Sequence, residues 1–309
     1  MKTHTFFASL IICSLALSSC GNAQPMTVET NKKEVVATFF PYYVFAKNLA
    51  GDYLSVNSLI SSQVGPHDYQ LKPSEINLLR QANLVIKNGL GVDDWVEKAI
   101  TTSGSRAKVF TASQELTILP PIEEQVLIGA HEEEEDEHGP HDPHVWVSPR
   151  NVLQILPRIS AQFQQLAPEH KAELAILLDQ YTRQIEALDH SIRTETANLT
   201  NKQFVSFHST TQYFARDYGF TVTASIEEYP GEEPTPYYLK QLIDYIKNNH
   251  IKVICTEPQF SPRIVQTLAQ DLNLQIIEFD PMETGIYSPT AYQDVMLKNV
   301  HALAAALKA

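Results

Sequence analysis

The chain has 309 residues, of which 36 are acidic and 23 basic, so its formal net charge is −13. No basic patch stands out, which argues against nucleic acids and anionic membrane surfaces as partners. About 290 residues remain beyond the N-terminal segment, enough for two domains that each bury a core.

The N-terminal segment has the features of an export signal. Lys2 precedes an apolar run over 6–17, shorter than the roughly 20 residues that a membrane span needs. Cys20 follows a branched apolar residue and two small ones, a pattern similar to the bacterial lipoprotein processing signal. We expect a signal peptide at 1–19, a lipid anchor on Cys20 and a polar tether over 20–33. A plain signal peptide with an incidental cysteine is the alternative.

Strands and helices alternate through both halves of the chain. Runs rich in Val, Ile and Phe predict strands at 34–39, 54–60, 83–87, 108–110, 203–207, 220–225, 251–256 and 274–279. Segments of helical period predict helices at 41–50, 73–82, 93–101, 209–218, 235–249, 261–272 and 290–308. This alternation favours parallel sheets flanked by helices, an α/β fold.

Two segments separate the halves. Residues 149–166 and 168–199 both have helical period with no strand between them, and the second is unusually long for a globular helix. It predicts a rigid connector between two lobes, at 34–148 and 201–309, with 149–200 as the helical connector. A pair of helices packed on one domain is the alternative.

The segment 120–143 differs in composition from its surroundings. It is rich in Glu, contains His131, His138 and His141, and has few apolar residues. Such a segment predicts a mobile loop. Its imidazoles and acids offer weak, exchangeable metal coordination, while a solvated acidic loop without a binding role is the alternative.

Four metal-competent side chains stand near predicted strand ends, where parallel sheets place their ligand sites. His208 and Asp280 directly follow strands, His67 lies soon after one, and His144 precedes the connector. Three imidazoles and a carboxylate suit zinc, whereas manganese prefers more oxygen ligands. The four are scattered along the chain, so each histidine taken alone is better interpreted as an ordinary loop or capping residue.

Several motifs resemble those of the zinc and manganese substrate-binding proteins of ABC importers. They are Gly-Pro-His-Asp-Tyr over 65–69, Asp-Pro-His-Val-Trp-Val-Ser-Pro over 142–149, Glu-Pro-Gln-Phe over 257–260 and Phe-Asp-Pro over 279–281. The resemblance implies two (β/α) lobes joined by a single long connecting helix, with the metal in the interlobe cleft. It implies metal ligands at His67, His144, His208 and Asp280. Zinc members of that family carry a loop comparable to 120–143, and in those members the loop is interpreted as a flexible segment that collects metal ions near the site.

The same resemblance bears on metal choice and on neighbouring residues. Members with His at the position of His208 tend to carry zinc, whereas Glu there goes with manganese. Glu257 is a candidate for orienting a ligand, or a strand-end residue paired with backbone. Pro66 stands where some zinc members have Glu, and Cys255 has no partner for the disulfide that others carry.

The function implied is capture of Zn(II) outside the cytoplasm and delivery to an ABC permease in the membrane. We expect an exported, lipid-anchored monomer that is not an enzyme and has no catalytic residues. The alternatives are a manganese or iron receptor of the same family, a secreted zinc hydrolase and a metal-dependent surface adhesin. No His-Glu-x-x-His motif supports the hydrolase.

Overall fold

The computed structural model describes residues 32–67, 69, 71–122, 141–227, 234–260 and 263–308. The predicted signal peptide and the predicted tether up to residue 31, with Cys20, lie outside these residues, as do His131 and His138. His141 is described and is exposed. Among the described helices, none combines the length and the apolar character that a membrane crossing requires.

The first lobe is built on a parallel sheet of order β2-β1-β3-β4. Its strands are β1 (Glu34–Ala37), β2 (Ser55–Ser58), β3 (Leu84–Lys87) and β4 (Lys108–Thr111), and its helices are α1 (Phe40–Ala50), α2 (Pro73–Gln81) and α3 (Trp95–Ser103). The central strand β3 is buried at all four positions, as expected for a strand covered on both faces.

Two helices follow the first lobe. Helix α4 (Pro149–Leu166) begins where the Ser148 side chain accepts a hydrogen bond from the backbone amide of Asn151, a standard N-cap. Helix α5 (Lys171–Thr196) has 26 residues, which makes it about 39 Å long. The two helices pack on each other, and α5 also contacts helices of both lobes. This supports a connector that is shared by the lobes.

The second lobe repeats the topology of the first, with a parallel sheet of order β6-β5-β7-β8. Its strands are β5 (Gln203–Ser206), β6 (Thr221–Ser225), β7 (Val253–Thr256) and β8 (Gln275–Glu278), and its helices are α6 (Gln212–Tyr218), α7 (Pro236–Asn248), α8 (Arg263–Leu272) and α9 (Ala291–Lys308). The predicted α/β fold with two parallel sheets is confirmed.

One apolar cluster runs through both lobes and the connector. The fully buried Trp146 stands edge-on to Phe39 of the first lobe at 4.9 Å, and its indole N–H donates to the carbonyl of Pro281 in the second lobe at 2.8 Å. Phe45 of α1 meets Tyr292 of α9 at 5.1 Å. The two sheets therefore share a core, and this core fixes the position of one lobe against the other.

Candidate metal centre

Four side chains converge between the carboxyl ends of the two sheets. His67, His144, His208 and Glu283 each offer one ligand atom, and these atoms all lie within 4.8 Å of one another. Oε1 of Glu283 is 3.1, 3.8 and 3.6 Å from the Nε2 atoms of His67, His144 and His208 respectively. The Nε2 atoms of His67 and His144 are 3.4 Å apart.

These separations suit a tetrahedral metal ion. Bonds of 2.0–2.2 Å to a central zinc place neighbouring ligand atoms about 3.3–3.6 Å apart. Nε2 of the buried His208 makes no hydrogen bond of good geometry with any described residue, and Oε1 of Glu283 lies 3.6 Å from it. A buried imidazole without such a bond needs another partner. The donor set of three nitrogens and one oxygen therefore fits zinc.

The second lobe holds His208 directly at the end of a central strand. His208 comes two residues after β5, and its backbone amide donates to Oε1 of Glu257 at 3.3 Å. The same oxygen lies 2.9 Å from Nδ1 of the ring. Since Glu257 follows β7, which pairs with β5, the sheet itself sets this contact. Glu257 therefore turns Nε2 of His208 toward the cluster.

His144 is held by a carboxylate two residues earlier in the chain. Oδ1 of Asp142 accepts from the backbone amide of His144 at 2.9 Å and lies 2.7 Å from its Nδ1. The other oxygen, Oδ2, accepts from the side-chain amide of Gln212 at 3.1 Å, and the Asp142 carbonyl accepts from the hydroxyl of Tyr213 at 2.7 Å. Both residues belong to α6, so the second lobe holds this segment in place.

Glu283 reaches the cluster because the chain turns sharply after β8. Oδ1 of Asp280 accepts from the backbone amide of Met282 at 2.7 Å, and Met282 adopts φ of +63°. An Asp that bonds to the backbone two residues on is a common turn former. Asn299 of α9 clamps the start of the turn, since it accepts from the amide of Asp280 and donates to its carbonyl.

Charge is arranged so that the cluster attracts a cation. Burial disfavours the charged form of His208, but Glu257 and Glu283 outweigh burial and raise its pKa to about 10. Burial lowers the pKa of His144 despite Asp142. Burial alone would raise the pKa of Glu283, yet His67 and His208 hold it well below its usual range. The metal-free cluster is thus an ionised carboxylate with one protonated and one neutral buried imidazole.

Three of the four predicted ligands meet in this cluster, and Asp280 is not one of its members. The Asp280 carboxylate is occupied in the turn, and burial raises its pKa to about 6. Glu283, three residues further on, takes the place expected for it. The only sequence signal for Glu283 was an acidic residue soon after a predicted strand, which many loops contain.

The chain matches a family model over residues 35–306, and the family is described as ZnuA: Zinc-uptake complex component A periplasmic. The description is that of an uptake component, in agreement with the prediction that the chain is not an enzyme.

Individual proteins agree with the family match. The zinc-binding lipoprotein AdcA of Streptococcus pneumoniae is 29% identical over 98% of this chain, which spans 60% of that protein's length. The high-affinity zinc uptake system protein ZnuA of Bacillus subtilis is 29% identical over 94% of this chain and 93% of its own length. The crystal structure of Zn(II)-bound AdcA from S. pneumoniae superimposes with a TM-score of 0.74 and 26% identity, covering 90% of this chain and 58% of that one.

Proposed function

Because the chain belongs to the ZnuA family of zinc-uptake components, we propose that it captures Zn(II) outside the cytoplasm and passes it to the permease of an ABC importer. The observation that carries this proposal is the convergence of three imidazole nitrogens and one carboxylate oxygen at tetrahedral spacing. The ligands are His67, His144, His208 and Glu283.

A closed set of four protein ligands favours carriage over chemistry. A hydrolytic zinc site keeps one position open for water. Here the four donors surround one point, and the side chains of all but His67 are nearly inaccessible, with exposures of 4% for His144, 1% for His208 and 2% for Glu283. His67, with a side-chain exposure of 20%, provides the route by which the ion enters and leaves.

The remaining features of the carrier follow from the sequence. A lipid on Cys20 would anchor the exported protein to a membrane, facing the periplasm or the cell surface, and 20–33 would serve as the tether. We propose a monomer, with His131, His138 and His141 as weak accessory ligands in the loop over 120–143. The name of the AdcA relative, a zinc-binding lipoprotein, supports the anchor.

A competitive titration of metal-free protein with Zn(II) and Mn(II), followed by calorimetry, tests the proposal. We expect one tightly bound Zn(II) per chain and weaker Mn(II) binding. His144→Ala should weaken zinc binding more than the roughly 100-fold expected for loss of an outer partner, because a ligand itself is removed. His190→Ala, which alters an exposed helical histidine, is the matched control. Equal zinc affinity in both variants would contradict the proposal, and tighter Mn(II) binding would reassign the metal.

A further inference from the structure

Gln259 lies at the junction of the two carboxylates that surround the cluster. Its side-chain Nε2 donates to Oε2 of Glu283 at 3.0 Å and lies 3.5 Å from Oε2 of Glu257. Ionised carboxylates only accept hydrogen bonds, so the amide must present its NH2 group to them. Its own Oε1 is buried without a hydrogen-bond partner in the described part of the chain, so the carboxylates alone set the orientation of this amide.

The two oxygens of Glu283 therefore have different surroundings. Oε1 faces the three imidazoles, whereas Oε2 is held by Gln259. Oε2 also lies near Gly65, where an added Cβ would stand 3.2 Å from it, so a larger residue at 65 would crowd this oxygen. Because Gln259 donates to Oε2 while Oε1 faces the imidazoles, Glu283 presents a single oxygen to the metal position.

We propose that Gln259 sets the metal preference of the site by keeping Glu283 a one-oxygen ligand. This inference rests on the proposed function. With Oε2 occupied, the ligand count is four, which matches zinc. Manganese prefers more oxygen ligands and would gain from the second oxygen of Glu283. Gln259 acts through Glu283, since the side-chain hydrogen bonds that the structure describes for it go to the carboxylates of Glu283 and Glu257, so it is a positioning residue.

The test compares wild-type protein with Gln259→Met, which keeps the side-chain length and removes the donor. Co(II) is the spectroscopic probe, because its visible bands are intense when it is four-coordinate and weaken as the coordination number rises. We expect intense bands for the wild type and weaker bands for the variant. Mn(II) affinity should rise about tenfold in the variant, the size of change known for residues that support ligands. Zn(II) affinity should change by less than about threefold, because zinc uses one oxygen of Glu283 in either case.

The matched control is Gln241→Met, an amide in α7 of the same lobe that donates to the hydroxyl of Tyr237, and it should leave all three metals unaffected. Parallel loss of Zn(II) and Mn(II) affinity in Gln259→Met, with an unchanged Co(II) spectrum, would show a merely structural role and overturn the inference. Weak Co(II) bands in the wild type would overturn it without any variant. Failure of the wild type to bind any metal would instead remove the proposed function, and this inference with it.

Discussion

The two lobes have the same strand order but hold their ligands in different ways. In the second lobe His208 lies two residues after the central strand β5, and Glu283 is fixed by the turn after β8. In the first lobe His67 lies nine residues after β2 ends, in a stretch where Ser61, Gln63 and Val64 are exposed. The second-lobe members of the cluster, His208 and Glu283, therefore lie shortly after strands of the sheet, whereas His67 lies in a surface loop.

His144 is held in place mainly by hydrogen bonds of its neighbours to the second lobe, although it precedes the connector in sequence. Its neighbours Asp142 and Trp146 are bonded to Gln212, Tyr213 and Pro281, all of the second lobe. Two hydrogen bonds tie the described part of this segment to the first lobe. The side-chain amide of Asn88 donates to the carbonyl of Pro143 at 3.0 Å, and the backbone amide of Asp142 donates to the carbonyl of Leu119 at 2.9 Å. His144 is thus tied mainly to the lobe that also carries His208 and Glu283, whereas His67 comes from the loop after β2 of the first lobe.

The largest expected difference between the lobes is in stability. His208→Ala leaves two buried carboxylates without their shared cation, which should lower the free energy of unfolding of metal-free protein by about 3 kcal/mol. His67→Ala removes a partly exposed partner and should cost about 1 kcal/mol. Urea unfolding of the two variants and wild type measures both values. Equal losses would mean that the lobes hold their ligands equally rigidly.

The next effect concerns the two acids of the loop after β8. Glu283→Gln should weaken zinc binding by more than about 100-fold, since it replaces a charged ligand. Asp280→Asn is the matched control and should change zinc affinity by less than about threefold, because its oxygen still accepts from Met282. Competition with a chromophoric chelator gives both affinities. If Asp280→Asn proved the more damaging change, Asp280 would regain the ligand role that the motif resemblance implies.

A smaller effect on zinc affinity is expected from the carboxylates that orient the imidazoles. Glu257→Gln should reduce zinc affinity about tenfold, because it removes the charge beside Nδ1 of His208. Asp142→Asn should have a similar effect at His144, since it leaves the backbone bonds of that segment in place. Isothermal titration of both variants tests this. Unchanged affinities would show that packing alone orients the rings.

The smallest expected effect is the release of one proton when zinc binds. The His208 pKa of about 10 in metal-free protein means that zinc must displace a proton there at neutral pH, whereas burial keeps His144 neutral. Proton competition is lost as pH rises toward 10, so zinc affinity should increase about tenfold per pH unit near neutrality. Calorimetry in buffers of different ionisation enthalpy counts the released proton. Binding without proton release would contradict the charge assigned to His208.

Most of the fold was predictable because buried parallel strands are continuous apolar runs. The predicted strand at 83–87 differs from β3 by one residue, and the predicted helix at 149–166 coincides with α4. The long helix was predicted from 168 but begins at Lys171, after a short 3-10 turn that includes Pro168. Local periodicity fixes such elements to within a few residues.

The residues of the site could be predicted from the sequence only in part. The rule that site residues lie just past the carboxyl ends of strands placed His208 in the cluster, because residues that follow a strand closely stay near its end. The same rule selected Asp280, but there the chain reverses at Met282, and a positive φ on a non-glycine residue has no sequence signature. The role of Gln259 depends on which oxygen of Glu283 it meets, a detail of loop geometry that no spacing encodes.

The core shared between the lobes has a calorimetric consequence. Receptors whose lobes close around the ligand bury additional apolar surface on binding, and this gives a negative heat-capacity change. Here Trp146, Phe39 and Tyr292 lie in one apolar cluster that is shared by both lobes and leaves little room for the lobes to move apart. The enthalpy of zinc binding should therefore vary little with temperature, and heating should melt both lobes together as a single endotherm.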